Sequence, residues 1–310
     1  MTIACMLLAG LLVTVAAGAQ SPQIPDYCQY DAKLSTQLAA VVRDLGLEGP
    51  FDTEDGPELI SLAVADLAGK KTHLGGVYMD NFIYPASIYK MYVAAEILDQ
   101  ISKGRLDLAT PHIVRDINAV DRSKEWTLDP RPLLQGGDTV TVRYLLDLMI
   151  TRSDNSAANC LIDLASRNSI DSLMHRYNWY GSEVTRKFLK RPFEDPGYEK
   201  IRGTETCALH AADFLCRIAR RQLVSPWVSM QLLCLMGGQL DTSKLAAGLP
   251  SQAMFYHKTG WYSNWTHDVG IVDDGRHRYV IACFLPLPEK IASEKLRLLA
   301  ARIHTLMTNR

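Results

Sequence analysis

Apolar positions recur along the chain with two different periods, and the places where the period changes divide it. In "YDAKLSTQLAAVVRDLGL" (Tyr30 to Leu47), Leu34, Leu38, Val41, Val42 and Leu45 return at helical spacing and the run ends near Gly46, which predicts an amphipathic helix. After "EGPFDTEDGP", read as a loop, the segment "ELISLAVADLAGKKTHLGGVYM" predicts two strands, Leu59 to Asp66 and Thr72 to Met79, joined as a hairpin at Gly69-Lys70. From Pro85 to Leu240 the pattern is mostly helical, with breaks at Gly104, Pro111, Pro130, Gly136-Gly137, Pro192, Pro196-Gly197 and Pro226. Strand patterns return at "AMFYHKTG", "HDVGIVDD" and "RYVIACFLP", and a closing helix is predicted from Pro288 to Met307.

Strands at both ends of the chain around a helical middle imply an α/β (α+β) fold. The two ends build an antiparallel sheet covered by terminal helices, and an all-helical lobe is inserted. The expected division is an α/β lobe of residues 27–84 and 246–310 and a helical lobe of residues 85–245, forming one domain. A cleft between the lobes is the natural place for a ligand.

The segment before this domain changes the picture of location. Ile3 to Ala19 carries no charge and closes on Ala17-Gly18-Ala19, the small-x-small pattern of a secretory cleavage site. Export, periplasmic or extracellular, with cleavage after Ala19 is expected. The apolar run is short for a spanning helix.

Composition narrows the partner. A chain of 310 residues with 47% hydrophobic and 22% charged positions is long enough to bury a core. It has 33 basic against 34 acidic residues and no Lys/Arg block, so it shows no electrostatic footprint for nucleic acid or an anionic membrane. A small-molecule substrate and a monomer are expected. The cysteines after the leader, Cys28, Cys160, Cys207, Cys216, Cys234 and Cys283, are widely and irregularly spaced. Most sit in apolar stretches such as "QLLCLM" and "VIACFL", which reads as buried free thiols. No CxxC, HExxH or clustered His/Cys spacing appears, so neither a metal nor another cofactor is expected.

Candidate chemistry begins in "YPASIYKMYV" (Tyr84 to Val93). Pro85 is tolerated in a first helical turn, so a helix is predicted from there to Ser102, with Ser87 in its first turn and Lys90 on the same face. The helix is apolar nearly all round and therefore buried. A buried lysine must pair or lose its proton, and desolvation favours the form that can accept a proton from a hydroxyl. Ser87 then reads as a nucleophile and Lys90 as its base. The bland reading is a helix-start serine beside a lysine that snorkels to solvent, and roughly one Ser-x-x-Lys is expected by chance in such a chain.

Two tripeptides tip the balance. Ser153-Asp154-Asn155 lies between two helical stretches, and Lys258-Thr259-Gly260 ends a strand. Each could be only a cap or a turn, yet each has a chance expectation of about a few hundredths. The three motifs in this order resemble serine β-lactamases and penicillin-binding D,D-peptidases, and their separations resemble class A β-lactamases. The resemblance runs from about Tyr30 to the C-terminus, so residues 27–310 are identified as a single β-lactamase-like catalytic domain.

That resemblance implies roles. Ser87 attacks an amide carbonyl to give an acyl-enzyme while Lys90 withdraws its proton. Ser153 relays a proton to the leaving nitrogen, and Lys258 holds Ser153 and the substrate carboxylate. Asn155 binds the substrate's amide side chain and helps place Lys90, Asp154 is structural, and the N–H groups of Ser87 and Trp261 form the oxyanion hole. Thr259 and Gly260 complete the substrate-binding strand. His267 stands about where many class A enzymes have an arginine for the substrate carboxylate. Two departures matter. The family's Glu-x-x-Leu-Asn motif, whose glutamate activates the deacylating water, is missing from "VTRKFLKRPFEDPGYEKIRGTETC"; threading from Val184-Thr185-Arg186 puts Arg191 near the glutamate's place, with Glu194, Asp195 and Glu199 nearby. The Arg-Asp pair that closes the family's loop reads Arg202-Gly203.

The expectation is an exported serine hydrolase that attacks a β-lactam amide through Ser87 and hydrolyses the ester. The alternatives are a D,D-peptidase-like amidohydrolase acting on peptidoglycan-type peptide, acylated but poorly deacylated by β-lactams, and a non-catalytic binding module on the same fold. His257 is expected to point away from the cleft, by strand alternation. Trp261, Tyr262 and Trp265 are either a pocket wall or packing.

Overall fold

The structure is a computed structural model and describes residues 23–121 and 129–310. The expected leader and its cleavage site, with Cys5, lie outside the described residues.

Ten strands and eight α-helices follow one another in the described residues. The main sheet has six strands in the order β1 (Cys28–Tyr30), β5 (Thr72–Val77), β4 (Ser61–Asp66), β10 (Arg278–Leu285), β9 (Trp265–Asp273) and β8 (Met254–Tyr262). All neighbours are antiparallel except β1, which lies parallel to β5 with Cys28 opposite Thr72. Strands from the two ends of the chain meet where β4 pairs with β10, Ala63 opposite Ala282.

This sheet is buried on both faces. On β4, Leu62 and Val64 join one core cluster while Ala63 and Ala65 join another; on β10, Ile281 and Cys283 alternate in the same way with Val280 and Ala282. The first face is covered by α1 (Ala32–Asp44) and α8 (Glu289–Thr308), whose Leu34, Leu38, Leu296, Leu299 and Ile303 are fully buried. The second face carries the helical lobe: α2 (Lys90–Ser102), α3 (Val142–Thr151), α4 (Asn155–Ala165), α5 (Arg167–Arg176), α6 (Ala208–Ala219) and α7 (Pro226–Gly237). Two faces to cover explain why these strands read as continuous apolar runs.

Two small ribbons escape the sequence pattern. Phe51–Thr53 (β2) pairs with Gly56–Glu58 (β3) inside the segment read as a loop, and Pro111–Ile113 (β6) pairs with Thr139–Thr141 (β7) inside the helical lobe. Each strand is three residues long, too short to display a period. The expected buried thiol in "QLLCLM" is also corrected: Cys234 is exposed, whereas Cys160, Cys207, Cys216 and Cys283 are buried and free. Helix α7 is apolar on nearly every side, so apolar neighbours there do not mark the buried face. No described helix is long and apolar enough to cross a membrane.

Candidate active site

Ser87 does not start a regular α-helix. Ala86–Tyr89 forms a 3₁₀ turn and α2 begins only at Lys90. Ala86, just before Ser87, has φ +47°, a conformation that few residues other than glycine adopt. Ser153, at the corner between α3 and α4, has φ +59°. Two strained residues flanking one point in the cleft are held there by their surroundings, a pattern that concentrates at functional sites.

Lys90 is fully buried at this point. Its Nζ lies 2.7 Å from the Ser153 carbonyl oxygen, 2.7 Å from Asn155 Oδ1, 3.0 Å from Ser87 Oγ and 3.2 Å from Ser153 Oγ. The first two partners can only accept hydrogen bonds, whereas the two hydroxyls can also donate. A neutral amine that gives its two protons to the carbonyl and amide oxygens therefore turns its lone pair towards the hydroxyls. One nitrogen in reach of both Ser87 and Ser153 can take a proton from the first and pass it to the second.

Neighbouring elements fix this arrangement. Asp154 caps α4 by accepting from Ala157 N (2.8 Å) and is held by Arg152 (2.8 Å), so it has the structural role expected of it. Gly260 on β8 sits against the turn that carries Ser87: a Cβ there would lie 2.8 Å from Ser87 N and 3.0 Å from Pro85 O, so only glycine lets the strand edge approach. Lys258 is fully buried and donates to Thr259 O (2.7 Å). Ser87, Ser153, Asn155, Thr259, Gly260, Trp261 and Tyr262 together line a cavity of about 610 Å³. Trp265 is instead buried, with its ring edge-on to Tyr84 and its Nε1 donating to Glu58 (2.6 Å), so of the three aromatic candidates it is the packing residue.

One of two histidine expectations is corrected. His267 is not a cleft residue. It is fully buried, its Nδ1 accepts from Leu285 N (3.0 Å) and its Nε2 meets Tyr84 O (2.8 Å). Burial pushes it down to about 4, so it is a neutral tie between β9 and the segment before Ser87 and offers no charge to an anion. His257 is buried and paired with Asp268 (2.9 Å), as alternation along β8 requires.

Arg191 does not occupy the place assigned to it by threading. It is exposed, donating to Ile201 O (2.8 Å). Phe188 comes to the cleft instead, its ring 4.1 Å from Lys90 Nζ and stacked on Tyr89 at 4.9 Å. The side chain of Asn159, one turn beyond Asn155 on α4, clamps Phe188 by accepting from its N–H (2.8 Å) and donating to its carbonyl (3.5 Å). Glu194 faces inward to Arg167 (2.8 Å) and Lys187 N (3.0 Å), and burial raises its carboxyl despite those partners. Burial also works to raise Asp195, but Arg167 and Lys187 hold it below the usual range. Neither acid lines the cavity.

Sequence reasoning missed Phe188, Asp121 and a charged wall. Asp241 and Glu289 line the cavity and clasp the buried Lys244 at 2.5 and 2.7 Å. Burial acts against the charged form of Lys244, but these carboxylates outweigh it and raise the amine. None of these residues carried a signal in the sequence, since the Asn159 clamp holds only main-chain atoms of Phe188. The described residues hold no cluster of side chains able to bind a metal.

Comparison with known proteins gives the family and the fold. A family model described as the β-lactamase enzyme family matches residues 38–305. Among curated proteins none matches. Among solved structures, PBP-A is 20% identical with a TM-score of 0.74, covering 93% of this chain and 100% of that one. A PBP-A point mutant, in which glutamate replaces leucine, is described as an acyl-enzyme complex with penicillin G; it is 20% identical with a TM-score of 0.73, covering 91% and 98%. A β-lactamase from Sphaerobacter thermophilus is 18% identical with a TM-score of 0.72, covering 89% and 98%. At such identities these likenesses carry the β-lactamase/transpeptidase fold, and the family match carries the chemistry: the chain belongs to the β-lactamase enzyme family and is a β-lactamase-like serine hydrolase.

Proposed function

We propose that Ser87 is acylated by β-lactams, and by the D-alanyl amide bonds of peptidoglycan-type peptides, and that the acyl-enzyme is released slowly. Ser87 Oγ forms the new ester bond to the carbonyl carbon as its proton passes to Lys90 Nζ. The tetrahedral oxyanion lies between the N–H groups of Ser87 and Trp261. Ser153 Oγ gives its proton to the leaving nitrogen as the amide bond breaks and is reprotonated from Lys90, so the serine proton ends on the amine product. Lys258 and Thr259 take the substrate carboxylate, and Asn155 Nδ2 its amide oxygen.

The observation that carries slow release is Phe188. Hydrolysis of the ester needs a base to take a proton from water, and the loop places an aromatic ring over Lys90 where a carboxylate is needed. This favours a peptidase-like acyl trap over rapid β-lactam hydrolysis. Export, with cleavage after Ala19, belongs to the same reading and rests on the apolar run Ile3 to Ala19.

Fluorescent penicillin tests it. Covalent label is expected on the wild type, absent in Ser87→Ala and persistent for hours. An unlabelled wild type refutes acylation, and label cleared in seconds refutes the trap.

A further inference from the structure

The amide of Asn155 has two jobs that demand opposite ends of one group. Its oxygen must face Lys90, and its nitrogen must face the cleft. An amide can rotate by half a turn at little steric cost, and that rotation would set an N–H₂ against the N–H protons of Lys90.

The structure assigns the choice to Asp121. This residue lies on the connection ahead of α3, far from Asn155 in sequence, yet it is buried against the start of α4 and lines the same cavity. Its Oδ1 accepts from Asn155 Nδ2 (3.1 Å) and its Oδ2 from the Asn155 backbone N–H (2.6 Å), while its own N–H donates to Ser156 Oγ (3.0 Å). A carboxylate can only accept, so the amide nitrogen must turn to Asp121 and the oxygen to Lys90. The second amide proton stays available to the substrate. Asp154 already supplies the ordinary cap of α4 through Ala157 N, so the side chain of Asp121 is not needed to start that helix. Its position at a helix N-terminus nevertheless suits its charge.

An unbroken hydrogen-bonded series therefore runs from Asp121 through Asn155 and Lys90 to Ser87, at 3.1, 2.7 and 3.0 Å. Asp121 is a positioning residue: its carboxylate is bound to Asn155 and not to Ser87, and it acts by holding the group that holds the base. This rests on the acylation reading given above.

The test is Asp121→Asn, which keeps shape and volume but turns one acceptor into a donor. Single-turnover acylation by a chromogenic cephalosporin gives the limiting rate constant and the dissociation constant of the non-covalent complex separately, per mole of titratable Ser87. The limiting rate constant is expected to fall by at least about tenfold, since small misplacements of a catalytic group cost one to two decades. The dissociation constant should rise as well, because a turned amide also withdraws Nδ2 from the substrate, and melting should stay near wild type. Asp121→Glu, which keeps two acceptors, should recover part of the rate. An unchanged limiting rate in folded Asp121→Asn overturns the inference, as does a loss seen only as a smaller titratable fraction. Failure of the wild type to acylate at all would overturn the acylation reading instead, so the two failures are distinct.

Discussion

The sharpest prediction concerns Phe188→Glu. The ring now lies 4.1 Å from Lys90 Nζ and stacks on Tyr89 with planes 9° apart. Losing the stack costs about 0.5–1.5 kcal/mol beyond burial. Against this, a carboxylate about 4 Å from the lysine attracts its ammonium form by about 4 kcal/mol at an effective dielectric constant near 20, less its own desolvation. The two sides are comparable, and the Asn159 clamp acts on the main chain of residue 188, so it survives the change. The variant is expected to fold. The carboxylate then stands beside the ester with room in the cleft for water, and a positioned general base is worth about 10²–10⁴-fold. The adduct lifetime should shorten by at least about two decades. Acylation should slow by less, because the new carboxylate favours the protonated lysine. The assay is stopped-flow formation of the fluorescent penicilloyl adduct followed by its decay, with intact-protein mass as a check. A variant that folds, acylates and keeps its adduct as long as wild type would refute the claim that the ring is what blocks release.

Other outcomes follow from the same geometry. Lys90→Ala should lose about 10²–10⁴-fold in acylation while staying folded, because the Ser153 carbonyl and Asn155 oxygen it abandons open on the cleft and can take water; labelling kinetics and a circular-dichroism melt read this, and normal labelling would end its role as base. His267 should stay neutral down to about pH 4, which its imidazole resonances will report directly. Its folded value lies below the usual 6.5, so its stabilising contribution is complete above that pH and is lost as the pH falls towards 4, by about 3 kcal/mol in all. The destabilisation caused by His267→Gln should therefore be smaller at pH 4.5 than at pH 7, and an equal gap at both would contradict this.

How much of this was legible in the sequence depends on what kind of constraint each feature obeys. The hairpin of β4 and β5, the return of β8 to β10 and the terminal helices obey period and length, which one chain displays by itself. The six-residue β4 falls inside the predicted Leu59–Asp66, and α8 begins one residue after the predicted Pro288. Strand β1 obeys pairing alone: three residues held parallel to β5 have no period to show. The motif residues Ser87, Lys90, Ser153, Asn155 and Lys258 stood out in the sequence because Ser-x-x-Lys and two tripeptides of low chance frequency follow one another in the order of a known family, and the structure brings Ser87, Ser153 and Asn155 within hydrogen-bond reach of Lys90. His267 was misjudged because a matching place in a family says where a residue falls along the strand but not which partners wait for it there. Here Leu285 N and Tyr84 O claim both ring nitrogens.

The loop after α5 shows the limit most clearly. Counting residues from Val184 put Arg191 near the place of the resembled family's glutamate, which assumes that each residue advances the chain by an equal step. The chain instead enters the cleft where a side chain grips it, and that grip is the amide of Asn159, which binds main-chain atoms and therefore accepts any residue type. A glutamate could sit at position 188 on the same clamp, and here a phenylalanine does. Backbone anchoring thus separates the shape of the loop from its chemistry: the clamp fixes where residue 188 sits and leaves its side chain to the sequence. Asp121 shows the converse. Its carboxylate fixes an amide that the motif alone leaves free to turn, so the order of the site rests on a residue the motif does not contain.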